Sequence, residues 1–446
     1  MRARVLAVVL AVAVVSTAGA TGDEVREFLR KHWRAPLAPQ GPPPEGLSAL
    51  EASLQPEACG ACHSAQLADW RTSWHAAATG PGVAGQLVEM IEREPAAALG
   101  CLVCHAPLAE QAPLVRAGGR LVRNPAFDPA LLTKGLVCAG CHVRAHERFG
   151  PPRRDGSPAP TGPRARLAHG GATRTPAFLA SEFCRGCHQF EADGPALNGK
   201  PLENTYEEWR ASPFSRQGVQ CQDCHMPERR HLWRGIHDPE TVRSGLAISV
   251  SGEDGARRPG DETRLTLTVQ SVRVGHAFPT YVTPKVVLRG ELIDGAGAVV
   301  PDSIEEVVLA REVTLDLARE VSDTRLMPGQ RATLEYRPRV PAAGRRARLS
   351  VVVYPDAFYT RFYEALLAGG GAGRGEPAIR EALAASRRSV FTLFERVVPL
   401  SSKGASTAPS QTSPGIGLRR RGRRPSPVPE ARPSAGQAPG PADTTS

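Results

Sequence analysis

The ten cysteines of this chain fall into five copies of one pattern, Cys-x-x-Cys-His. The copies are Cys59, Cys62 and His63; Cys101, Cys104 and His105; Cys138, Cys141 and His142; Cys184, Cys187 and His188; and Cys221, Cys224 and His225. No cysteine is left over. Two thiols held two residues apart can both reach one edge of a porphyrin and form thioethers with its vinyl groups. The adjoining imidazole then lies beneath the iron. The pattern is the attachment signature of haem c. A zinc site pairs Cys-x-x-Cys units without needing a histidine after each. A redox dithiol occurs once, near a βαβ pattern, and a disulfide framework would not follow every second cysteine with histidine. The spacing predicts five covalently attached haems, with His63, His105, His142, His188 and His225 as proximal ligands.

The sixth coordination position decides whether a haem carries electrons or does chemistry. Seven histidines remain for it: His32, His75, His146, His169, His231, His237 and His276. That is enough for bis-histidine ligation at every haem, which closes the iron to substrates and favours a low potential. A methionine ligand would raise the potential. Of Met90, Met226 and Met327, Met226 directly follows His225 and cannot reach the far face of the same haem. His75, His146, His169, His231, His237 and His276 are the candidate distal ligands, each set against a plainer reading as a surface, capping or strand histidine. His146 lies four residues after His142, so on a helix both would face one side, and His146 would then serve a neighbouring haem. His276 falls in a β-rich stretch and would tie that stretch to the haems through an iron. His32 could simply cap the first helix.

The expected fold is α+β. Residues 24–34 read as a short helix, followed by a Pro-rich linker to residue 53. A mostly helical and loop-built pentahaem domain spans about residues 54–240. A helix from Ser64 through Trp70 and Trp74 is echoed by one through Tyr206 and Trp209. The segment Asp69-Trp70-Arg71-Thr72-Ser73-Trp74-His75 lines up with Glu208-Trp209-Arg210-Ala211-Ser212-Pro213-Phe214. Short alternating runs near residues 246–250, 265–269, 286–293, 306–309, 333–340 and 348–354 suggest a β-sandwich domain over 241–370. A C-terminal helix over 371–400, spanning about 377–396 and packed on the sandwich, completes the fold. Residues 401–446 are rich in Pro, Ser, Gly and Ala and read as a disordered tail.

Arg2 and Arg4 precede an apolar run over 5–15 and a small-residue site, Ala18-Gly19-Ala20. This predicts a signal peptide cleaved near Thr21 and a periplasmic protein with no membrane-spanning segment in the mature chain. Of the formal net charge of +10, residues 401–446 carry +5 and the two leader arginines +2, leaving +3 for the body. Scarce aromatics and the lack of a basic recognition helix argue against nucleic-acid binding. The arginines at 419–424 could attract acidic partners or lipid headgroups.

Several segments resemble the cytochrome c554 family of multihaem cytochromes. They are the Cys59 motif with Asp69-Trp70-Arg71-x-Ser73-x-His75, and Cys138 to His142 with His146 close behind. Ser181-Glu182-Phe183 before Cys184, Gln189-Phe190 after His188, Gln220 to Pro227, and Gly275-His276-Ala277-Phe278-Pro279-Thr280 extend the likeness over roughly residues 54–285. The resemblance implies closely packed haem pairs that pass electrons along the chain, with His75 and His146 as distal ligands. It also has a departure: five motifs stand here against four in the family's name member. The function expected is electron transfer between redox partner proteins. The alternative is a multihaem redox enzyme for nitrite- or hydroxylamine-type nitrogen oxide chemistry, with one five-coordinate haem. Pentahaem nitrite reductases, however, carry Cys-x-x-Cys-Lys at the catalytic haem, and every motif here ends in histidine. No catalytic residue is assigned. In a third reading the sandwich is a docking module.

Overall fold

The computed structural model describes residues 22–163, 167–252, 260–339 and 346–400. The leader and the Pro-rich tail lie outside the described residues. Contacts divide the chain into a unit over Met1–Lys403 and a second over Gly404–Ser446, and the described residues belong to the first.

Residues 22–32 are helical. Next to this helix, the Arg144 guanidinium lies over the Trp33 ring and its Nε donates to the His32 carbonyl at 2.8 Å. The Pro-rich linker lies on the haem-motif region. Leu37 is buried, and the Gln40 amide donates to Glu110 Oε1 at 2.6 Å. The haem-motif region is a string of short helices: Pro56–Gly60, Ser64–Arg71, Pro81–Arg93, Pro95–His105, Cys138–His142, Glu182–His188, Thr205–Arg210 and Cys221–His225 among them. Most are too short to be stable alone, so tertiary contacts must hold them. The apolar contacts available are few. One cluster gathers Leu37, Leu67, Trp70, Leu108, Leu131, Val137, Ala139 and Val143, and another Leu87, Ala98, Leu102 and Ala106.

From Leu246 the chain changes character. Strands Leu246–Gly252, Leu265–Ser271 and Arg331–Tyr336 form a three-stranded antiparallel sheet with Leu265–Ser271 in the middle. Strands Glu305–Leu309, Lys285–Ile293, Arg346–Tyr354 and Phe391–Pro399 form a four-stranded antiparallel sheet in that order. Alternate residues point inward, as the two-residue strand period requires. Leu267 and Val269 from the first sheet, and Ala347, Leu349, Val351 and Val353 from the second, have no exposed surface and share one core. The sheets meet closely at Gly290, where a Cβ would stand 2.6 Å from the Tyr336 ring. A hairpin of Arg311–Val313 and Glu320–Asp323 turns back toward the haem-motif region. There the buried Arg311 guanidinium donates to the carbonyls of Leu197, Lys200 and Pro201.

The C-terminal segment differs from expectation. The helix covers Glu376–Arg388 only, and Phe391–Pro399 is a strand paired with Arg346–Tyr354. Alternation of apolar and polar residues from Phe391 lets Leu393 enter the core, at 2% exposure; a helix there would spread those residues around its surface. The helix lies against Pro81–Arg93 and a further helix, Ala357–Ala368, where Ile379 packs on Gly85. No helix of the described residues is long and apolar enough to cross a membrane.

Candidate haem centres

Each motif sits at or beside a helical turn: Pro56–Gly60 enters the first, Pro95–His105 ends in the second, and Cys138–His142, Glu182–His188 and Cys221–His225 contain the others. In a helical turn residues three and four apart share a face. That puts both cysteines and the histidine of a motif on one side. All ten cysteines are free thiols. Among the described residues no three or more His, Cys, Asp or Glu converge as a bare metal site would require. Thiols of different motifs meet instead: Cys59 with Cys138, Cys104 with Cys187 and Cys184 with Cys221. The first motif therefore neighbours the third, and the fourth neighbours both the second and the fifth.

Four of the five motif imidazoles, those of His105, His142, His188 and His225, are oriented through Nδ1. That nitrogen donates to the Ala78 carbonyl from His105 at 2.5 Å, to Phe149 from His142 at 2.8 Å and to Arg234 from His225 at 2.6 Å. In His188 it pairs with the Tyr281 hydroxyl at 2.7 Å. A proton fixed on Nδ1 leaves Nε2 as a lone-pair donor, the tautomer a metal ligand needs.

Four motif rings, those of His63, His142, His188 and His225, face a second imidazole. Ring centres are 6.4 Å apart for His63 and His169, 6.2 Å for His142 and His231, 6.3 Å for His188 and His75, and 6.2 Å for His225 and His276. The fit to an iron can be checked directly. A metal–nitrogen bond of about 2 Å, with the ring centre about 1 Å beyond, requires about 6 Å between the centres of two axial imidazoles. All four pairs have that spacing, and they fit bis-imidazole haem. Burial keeps the rings neutral: it lowers His75 to about 3, and His142, His188 and His276 to about 4. Neighbouring imidazoles lower them further. His276 donates its Nδ1 proton to the Ala277 carbonyl at 2.9 Å, which again frees Nε2.

The remaining candidates stand elsewhere. His146 Nε2 bonds the Gly41 carbonyl at 2.9 Å, and His32 Nε2 bonds the Cys141 carbonyl at 2.8 Å. His237 Nε2 lies 3.0 Å from Asp356 Oδ1, with its ring on Trp74 at 4.0 Å. Among the described residues no imidazole faces His105 at the spacing of the other four pairs.

Several residues that matter here escaped the sequence reading. Trp233 is edge-on to both His75 and His231, at 4.6 and 5.1 Å between ring centres. Tyr281 is half-buried, and desolvation raises its phenol well above the ordinary range. His169, Trp233 and Tyr281 all have positive φ, at 43°, 44° and 66°, a conformation rare for bulky side chains and one that accumulates at functional sites. Tyr281 follows the Gly275–Thr280 segment noted for His276, so that one connection supplies side chains to two centres.

Comparisons with known proteins give likenesses of family and fold. The family described as cytochrome c554 and c-prime matches residues 58–124, which hold the first two motifs and His75. No curated protein matches the chain. Among solved structures, a penta-heme cytochrome c552 from Thermochromatium tepidum is similar with a TM-score of 0.50 and 18% identity, covering 69% of this chain and 93% of that one. The structural-genomics target SoR45 (TM-score 0.17, 9% identity, 38% of this chain and 95% of that one) is far less similar. So is the sporulation control protein Spo0M from Bacillus subtilis (0.11, 11%, 25% and 43%). The chain is thus similar to the cytochrome c554 and c-prime family over its first two motifs, and similar in fold to a penta-heme cytochrome across most of its length.

Proposed function

We propose that the protein is an exported pentahaem electron carrier, in which ten thiols hold five haems and at least four irons are closed by paired imidazoles. The observation that carries this reading is the repeated spacing of His63 with His169, His142 with His231, His188 with His75, and His225 with His276. Haem supplies one-electron chemistry, and bis-imidazole ligation keeps that chemistry outer-sphere. The chain's own part is to fix ligand tautomers, bury the rings and set the spacing between neighbours. The thiol contacts support a path from the first motif to the third, and from the second through the fourth to the fifth. Contact between His75 and Trp233, and between Trp233 and His231, links the third and fourth centres. The two facing sheets read as a β-sandwich whose loop supplies His276 and Tyr281, a structural role rather than a catalytic one. Attachment of haem to thiols takes place outside the cytoplasm, and the apolar leader suits that route. Redox partner proteins would exchange electrons at exposed haem edges, with the basic tail assisting encounter.

The test is intact mass with haem quantification on protein from a cytochrome-maturing host. Five haems are expected, and fewer than five overturn the reading. His276→Met should raise the potential of one haem alone; unchanged potentials would remove His276 from the ligand set.

A second reading has its own observation: among the described residues no imidazole faces His105 at the spacing of the other four pairs. It gives that centre an open position and the chain a place among multihaem oxidoreductases of nitrogen oxides. A high-spin ferric signal that is lost on adding cyanide would favour it. A wholly low-spin spectrum would eliminate it.

A further inference from the structure

The sequence echo between Asp69-Trp70 and Glu208-Trp209 has a structural counterpart. Trp70, on helix Ser64–Arg71, donates its indole N–H to the Leu136 carbonyl at 2.8 Å. Leu136 lies two residues before Cys138. Trp209, on helix Thr205–Arg210, donates to the Val219 carbonyl at 2.9 Å. Val219 lies two residues before Cys221. The two indoles thus anchor the approach to the third and fifth motifs at the same offset.

The acidic neighbours repeat the pattern on the opposite side. Asp69 Oδ2 accepts the backbone N–H of His231 at 3.0 Å. Glu208 Oε2 accepts the backbone N–H of Ala277, the residue after His276, at 3.2 Å. Each carboxylate is buried and held by an arginine: Arg230 donates to Asp69 Oδ1 at 2.5 Å, and Arg325 to Glu208 Oε1 at 2.9 Å. His231 is the imidazole facing His142, and His276 the one facing His225. One dipeptide therefore grips both ligand-bearing segments of a single centre. The tryptophan holds the proximal motif and the carboxylate holds the distal loop.

We infer that Asp69-Trp70 and Glu208-Trp209 are duplicated positioning clamps, the first setting the imidazole pair His142 and His231, the second setting His225 and His276. A charge-assisted bond from a buried carboxylate is stronger than a neutral one and fixes direction as well as distance. A backbone amide tied in this way fixes where the adjoining imidazole stands. The copies part at the end of the echo: His75 faces His188, while Phe214 takes the matching place in the second copy and packs near Gly275.

The inference rests on the imidazole pairing proposed above, and the test separates the two. The full-length five-haem protein is prepared with Asp69→Ala, Trp70→Phe, Glu208→Ala and Trp209→Phe, and its ferric low-spin resonances and redox titration are recorded. Trp→Phe keeps the ring and removes only the N–H donor. Asp69→Ala and Trp70→Phe should shift one and the same low-spin signal. Glu208→Ala and Trp209→Phe should shift a second signal, different from the first. Asp69→Asn and Glu208→Gln, which keep an acceptor oxygen, should restore most of each shift. His231→Met and His276→Met identify the two signals. If neither methionine variant alters any signal, the ligand pairing fails. If both do, yet the members of a clamp move different haems, all haems together or none, the clamp fails. Should an alanine variant not fold, the Phe, Asn and Gln variants decide the matter alone.

Discussion

The two halves of the molecule bury different things. The sheet region closes one apolar cluster of eighteen buried residues, several with no exposed surface. The haem-motif region spans a similar length of chain, yet its two clusters hold only eight and four. It buries polar groups in their place: Gln111, His146, Ser181, Asp69 and Glu208 are all nearly inaccessible. Gln111 alone donates to the carbonyls of Leu131 and Gly135. A sheet sandwiched on its own side chains needs nothing further to exclude water. A set of short helices joined by hydrogen bonds to loop carbonyls does, because each helix is marginal alone. One half is organised by its own aliphatic residues and the other, on the function proposed above, by the haems its cysteines and histidines would hold.

The strongest way to break that contrast is to withhold haem. Full-length chain made without a cytochrome maturation system should lose ordered structure over roughly residues 54–240, while the strands beyond 246 persist. Limited proteolysis with mass mapping reads this directly. Cleavage spread equally over both halves would end the distinction. Removing one attachment pair, as in Cys138→Ala with Cys141→Ala, should give a smaller version confined to the third centre and its neighbours.

The junction comes next. Arg325 and Glu208 form an ion pair with both side chains about 95% buried, and Asp323 adds a second partner to Arg325. Arg325→Ala leaves Glu208 buried without its countercharge, which should cost about 4 kcal/mol in denaturant unfolding. The double variant Arg325→Met with Glu208→Leu should recover part of that loss in stability. Because Glu208 also holds the Ala277 amide, Arg325→Ala should disturb the haem spectrum too. An effect confined to stability would mean that the junction does not transmit to the centres.

Leu349→Ala probes the opposite half. The side chain is fully buried between the sheets, and its truncation should cost about 3 kcal/mol through lost burial and a residual cavity. The haem absorption of the folded variant should match that of the parent. A shifted Soret band would show that the sheet core governs haem geometry as well.

These halves were not equally legible in the sequence. The strands announced themselves by alternation, and most of those expected are in place within two residues: Leu265–Ser271 and Arg346–Tyr354 are examples. The hairpin at Arg311 and the strand Phe391–Pro399 went unread, because a buried arginine looks like a surface residue and a short strand after a helix looks like its continuation. The five Cys-x-x-Cys-His motifs stand out in the sequence without a structure. The second histidine of each proposed pair does not, since a lone histidine carries no spacing signal. His169 and His231 lie far from their partners in sequence and are brought together only by loops with left-handed residues. His146, four residues from His142, is expected on a helix to serve a neighbouring haem; Val143–Arg144 and Glu147–Gly150 make a tight turn there in place of a helix, and its Nε2 goes to Gly41.

The smallest expected effect is also the finest probe of the contrast. Glu203 lies at the junction, where Thr205 Oγ1 donates to it at 2.9 Å and itself meets Thr280 Oγ1 at 2.6 Å. Burial raises the Glu203 carboxyl from its ordinary 4.5 to about 8, with Thr205 opposing. Between those two values the unfolded chain has released its proton and the native chain keeps it. Stability therefore falls as pH rises from about 4.5 to about 8, and levels off above. Glu203→Gln removes the ionisation while keeping the shape. It should match the parent near pH 4.5 and exceed it by about 1–2 kcal/mol near pH 8.5, a figure discounted because the site is only partly enclosed. The readout is denaturant unfolding followed at the Soret band across that range. Parallel curves for the two proteins would mean that Glu203 is ionised in the native state. The haem half would then owe less of its organisation to buried polar groups than the contrast with the sheets requires.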